Sequence, residues 1–73
     1  MKDLGMDERF GWARRAARGG DPGAMLHLAY SYLDGQGVQA DLGQARRWFL
    51  KAALKGDLEG MRQYLLLGRG ARE

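Results

Sequence analysis

Trp12-Ala13-Arg14-Arg15-Ala16-Ala17-Arg18-Gly19-Gly20-Asp21 returns as Trp48-Phe49-Leu50-Lys51-Ala52-Ala53-Leu54-Lys55-Gly56-Asp57, with Trp48 standing 36 residues after Trp12. The same offset carries Ala16 to Ala52, Ala17 to Ala53, Gly20 to Gly56 and Met25 to Met61. A unit copied at this period is the mark of stacked helical hairpins, each burying its apolar face against the next. It points toward binding rather than catalysis.

Outside the repeated stretch, composition argues for helix throughout. The 73 residues include ten Ala and eleven Leu but no Ile, Thr or Asn, so that Val38 is the only β-branched residue. A sheet built without such residues is improbable, and Ala and Leu favour helix. The expected fold class is all-α, a single helical-repeat domain over 1–73, with 1–5 and 69–73 frayed. A chain of this length buries only about three-fifths of the surface its unfolded form exposes, so its core is small.

Four helices are expected, at about 6–18, 22–33, 42–55 and 58–67. Asp7 and Glu8 suit the positive end of the first helix, and Phe10, Ala13, Ala16 and Ala17 give it an apolar stripe beside Trp12. Gly11 inside it costs about 1 kcal/mol relative to Ala. Gly19-Gly20 closes this helix, and Asp21-Pro22 opens the next as N-cap and first helical residue. The second helix carries Ala24, Met25, Leu28, Ala29 and Tyr32 on one side, with Leu26, Tyr30 and Leu33 roughly opposite. It is therefore apolar on two faces.

Asp34 to Ala40 reads as a loop, with Gly35 as a left-handed cap, Gly37 allowing a second reversal and Val38 as the apolar anchor. No strand precedes its Gly-x-Gly and no Lys-Ser/Thr pair follows, so it is a turn rather than a phosphate loop. Asp41 and Gln44 form a capping-box pattern. Leu42, Ala45, Trp48, Phe49, Ala52 and Ala53 then make a stripe whose alanines admit a close neighbour, while Leu50 and Leu54 make a lateral patch. Asp57 caps the fourth helix, which runs through Leu58, Met61, Tyr64 and Leu65. Gly60 and Gly68 replace Ala24 and Tyr32 there, where the second copy decays.

From Ala24 to Asp57 the chain shows Leu28, Tyr32, Gly35-x-Gly37-Val38, Asp41, Ala45, Trp48-Phe49-x-Lys51-Ala52-Ala53 and Gly56-Asp57. This resembles one complete Sel1-like repeat, a relative of the tetratricopeptide repeat, flanked by a preceding helix B and a following helix A. Ala29 replaces the family's usual Gly, Phe49 its frequent Tyr, and Leu50 a usually polar residue. The resemblance implies a right-handed α-solenoid whose A helices line a concave surface, and an adaptor that holds proteins or peptides. Transferred by position, the partner-binding residues are Leu26, His27, Tyr30 and Leu33, and 36 residues later Arg62, Gln63, Leu66 and Arg69. The leftover stripe Leu26, Tyr30 and Leu33 agrees, since an uncovered apolar face costs about 25 cal/mol per Å².

Self-association is the least costly way to cap the open ends of so short a solenoid, and a homodimer can bury either the concave face or the Leu50 and Leu54 patch. His27, the only histidine, has no second ligand at helical spacing and Cys is absent, so neither a metal nor a cofactor is expected. Ser31 lies four residues from His27, but nothing orients the imidazole and a helix interior offers no oxyanion hole; the chain is not expected to be an enzyme.

The alternative function is binding of nucleic acid or another polyanion through basic rows on the B helices, Arg14 and Arg18 with Arg47, Lys51 and Lys55. The formal charge of +3 is a small excess for that. The N-terminus lacks the apolar core of a signal peptide and no run approaches the roughly 18 residues of a membrane span, so a cytoplasmic protein is the default expectation. Met1 is compatible with a complete chain and with a piece of a longer repeat array.

Overall fold

The computed structural model describes residues 4–71, with side chains from Phe10 to Gly68. It contains α1 (Leu4–Arg18), α2 (Pro22–Asp34), α3 (Leu42–Leu54) and α4 (Leu58–Ala71), and no strand among the described residues. Each helix packs on the next in sequence, so the chain is all-α and forms a short helical solenoid. Of the residues expected to fray, 4–5 and 69–71 are helical, while 1–3 and 72–73 lie outside the described residues, as do the side chains of Asp7, Glu8 and Arg69.

Both copies of the repeated stretch end their helices in the same way. Gly20 and Gly56 take the left-handed conformation, at φ 98° and 95°. Gly20 N–H donates to the Ala17 carbonyl and Gly56 N–H to the Ala53 carbonyl, at 3.0 and 2.9 Å. Asp21 and Asp57 N–H then reach back to Ala16 and Ala52, at 3.2 and 3.1 Å, which completes a Schellman closure. The same aspartates cap the following helices. Asp21 Oδ1 accepts from Gly23 N–H at 3.0 Å ahead of a helix begun by Pro22, and Asp57 Oδ1 accepts from Glu59 and Gly60 N–H at 2.9 and 3.1 Å. A single Gly-Asp pair thus ends one helix and starts another, which turns the chain back on itself in a short link.

The longer A-to-B turn follows the expected plan. Gly35 is left-handed at φ 74°, its N–H and that of Gln36 both donate to the Ser31 carbonyl, and Gly37 reverses again at φ 76°. Asp41 N–H closes the loop onto the Tyr32 carbonyl at 2.8 Å, and Asp41 Oδ1 accepts from Gln44 N–H at 3.1 Å.

The molecule is a slab with extents of 41 × 27 × 13 Å, and its buried residues fall into two separate clusters between the helices. Its core is therefore a pair of interhelical seams. One joins Ala13, Ala17, Ala24, Met25, Leu28 and Ala52, and the other joins Ala29, Ala45 and Phe49. Among the described residues, Leu28 and Phe49 are the large side chains buried without remainder. Trp48, expected to share the core with Phe49, is half-buried with the Lys51 ammonium 4.8 Å above its ring.

Three further expectations are corrected. Leu42, read as part of the buried stripe, is exposed at the first residue of α3. Leu58, Met61 and Leu65, read as the packed stripe of α4, are 84, 42 and 53 % exposed. The face of α4 that meets α3 holds instead Gly60, Tyr64 and Leu67. Nor is Gly60 a decayed position: a Cβ there would lie 2.7 Å from the Phe49 carbonyl oxygen and 2.9 Å from Ala52 Cβ. The missing side chain is what lets the two helix backbones meet.

Candidate protein-interaction face

The A helices α2 and α4 are tied to each other directly. Tyr30 of α2 donates its hydroxyl hydrogen to Glu59 Oε2 of α4, and the same oxygen accepts from Gln63 Nε2 at 3.4 Å. That hydrogen bond, with burial, pushes the Tyr30 hydroxyl up to about 12. Below the Tyr30 ring, Phe49 of α3 stacks edge-to-face at 5.0 Å. One tyrosine therefore joins the second core seam to the surface shared by the two A helices.

The residues expected to bind a partner do not all stand alike. Leu26, Tyr30 and Leu33 are half-buried and pack on the Ala29, Ala45 and Phe49 seam, so α3 already shelters part of this stripe. An interior helix of a solenoid has a neighbour on each side, and two apolar faces are what it requires. His27 is exposed, and its ring meets Trp12 edge-to-face at 6.2 Å, on the side of α2 toward α1. Arg62 and Leu66 are exposed, Gln63 is half-buried beside Glu59, and the side chain of Arg69 lies outside the described residues.

Glu59 was absent from the expected set. It corresponds to Gly23 in the first copy, so positional transfer passes over it, although a helical wheel places it on the face of Gln63 and Leu66. Ser31 and His27, four residues apart in α2, do not share an environment: Ser31 is buried, while His27 is out in solvent.

Arg14, Arg18, Arg47, Lys51 and Lys55, the basic rows of the B helices, are exposed. Two of them lie over aromatic rings, Arg14 over Phe10 at 6.0 Å and Lys51 over Trp48 at 4.8 Å, an arrangement in which the cation covers the ring face. Arg46 turns inward, its guanidinium 4.9 Å from the Tyr64 ring and its buried Nε without a hydrogen-bond partner, and so helps hold α4 on α3. Among the described residues no helix is long and apolar enough to cross a membrane.

A left-handed glycine turn between the helices of each hairpin, an Ala-Ala seam and a repeat of 36 residues describe a known unit. The Sel1 repeat model matches residues 10–21 and 22–57, the second match spanning α2, its turn and α3. The chain belongs to the Sel1 repeat family. Sel1 repeats are helical protein-interaction units, and the α1 segment from residue 10 is the end of a preceding one. Over 47 residues, 64 % of the chain, it is 43 % identical to the chitin synthase regulator SKT5 of Saccharomyces cerevisiae, of which that stretch covers 7 %. No solved structure matches the chain.

Proposed function

We propose that this Sel1 repeat protein is an adaptor module that holds a protein segment or peptide along the surface formed by its two A helices. The observation that supports this most is the Tyr30–Glu59–Gln63 link, which makes α2 and α4 one surface rather than two separate ridges. Leu26, Tyr30 and Leu33 offer an apolar floor that is only half covered, and Leu66 adds an apolar contact fully in reach. His27, Arg62, Glu59 and Gln63 supply hydrogen bonds and charge of both signs, with Arg69 on the same face by its position in the repeat. The relative SKT5 is named as a regulator, a role in keeping with action through other proteins.

The test uses peptides selected by the intact protein from a random displayed library. Because Tyr30 and Leu33 also support the fold, the informative substitutions are at exposed positions. Leu66→Asp and Arg62→Glu are expected to weaken peptide binding at least tenfold with helicity unchanged, and Arg47→Glu with Lys51→Glu to leave it unaltered. Affinity is expected to vary little between low and physiological salt. Binding lost only with the Arg47 and Lys51 substitutions, and falling steeply with salt, would instead assign the basic rows and a polyanion.

A further inference from the structure

Among the described residues the helices run B, A, B, A, and α4 meets α3 by one face while Leu58, Met61 and Leu65 on another are exposed. We propose that copies of this chain associate end to end, α1 of one copy seating on the open face of α4 of the next as α3 seats on α2. Met25 and Ala29 of α2 are 5 and 0 % exposed. Their counterparts on α4, Met61 and Leu65, form with Leu58 the exposed stripe described above. These three residues span about 60° of the helical wheel, a single continuous face.

The matching surface is at the other end. Trp12 is 54 % exposed and Ala16 half-buried, whereas their counterparts Trp48 and Ala52 are half-buried and fully buried in the seam that contains Met25. Repeating that seam one step further along the solenoid sets Met61 of one copy against Ala16 and Trp12 of the next. The occupant is a second copy because α1 carries, at these positions, the residue types with which α3 already covers α2: Trp12 for Trp48, Ala16 for Ala52 and Ala17 for Ala53. Two different surfaces meet, so each addition leaves a free end and the assembly is an open chain rather than a closed pair. It uses neither Leu66 nor Arg62, and so stands apart from the peptide-binding reading.

Sedimentation equilibrium of the intact chain over a wide concentration range tests this. The wild-type mass is expected to rise past that of a dimer without a plateau, while Met61→Asp with Leu65→Asp, and separately Trp12→Glu, stay monomeric. An equimolar mixture of those two variants retains one good seam and is expected to stop at a heterodimer. Leu66→Asp is expected to assemble as wild type does. A wild-type chain that stays monomeric throughout overturns the proposal. So does a Trp12→Glu chain that still dimerises, since that means symmetric pairing through α4, or a Met61/Leu65 variant that still associates. Circular dichroism establishes that each variant is helical, with Met61→Lys plus Leu65→Lys and Trp12→Arg as replacements for any that is not.

Discussion

Two glycines inside helices show how the same residue type can have opposite consequences. Gly11 has nothing within 4 Å of where a Cβ would stand, so Gly11→Ala is expected to raise stability by about 1 kcal/mol, read from urea unfolding. Gly60 faces backbone of α3, which cannot step aside, so Gly60→Ala is expected to lower stability by about 1–3 kcal/mol despite the better helix propensity. The cost of Gly11 was legible in the chain, but the role of Gly60 was not, because both glycines sit in the same kind of helical pattern and only the neighbour differs. Tyr30 is the other decisive residue. Its folded pKa is raised to about 12 by the hydrogen bond to Glu59, whereas in the unfolded chain it is about 10. The hydroxyl therefore favours folding below pH 10, and that contribution is lost as pH rises from 10 through 12. Tyr30→Phe is expected to cost about 0.5–1.5 kcal/mol at neutral pH and to flatten the fall of stability across that alkaline window. A mutant whose unfolding free energy falls as steeply as wild type would mean the bond to Glu59 is not formed.

Among the elements, the punctuation was readable and the packing was not. Gly20, Gly35 and Gly56 as left-handed caps, Pro22 as a first helical residue and Asp21, Asp41 and Asp57 as N-caps follow from local chemistry, and all stand where the chain places them. Asp57→Ala leaves the Glu59 and Gly60 N–H groups without their acceptor and is expected to cost about 1 kcal/mol, measured by thermal unfolding. The apolar faces were harder, because a wheel shows that a helix has two of them without saying how many neighbours it has. For α2, between two helices, both are used; for α4, with one, the stripe of Leu58, Met61 and Leu65 is left in solvent. Trp48 and Phe49 are adjacent and equally apolar in sequence, yet only Phe49 is fully buried, while Trp48 lies half-buried against both seams. Phe49→Ala is expected to cost about 3–5 kcal/mol and to abolish cooperative unfolding in so small a protein, and Trp48→Ala to remain folded. The reverse order would place Trp48 in the core after all.

At the level of the whole molecule, the A helices are joined through Tyr30 and Glu59, and the B helices carry exposed Arg and Lys. The 36-residue period and the turn chemistry made the solenoid legible from the chain alone. The proposed partner-binding surface rests on the family likeness and on the apolar stripe Leu26, Tyr30 and Leu33, which the structure shows to be half-buried against α3. Mapping a bound peptide on the intact protein tests whether a partner lies along the A helices. Amide chemical shifts recorded with and without a library-selected peptide are expected to move at His27, Tyr30, Glu59, Gln63 and Leu66 and to stay fixed at Arg47, Lys51 and Lys55. Shifts confined to the α3 basic row, with the α2 and α4 residues unmoved, would contradict it.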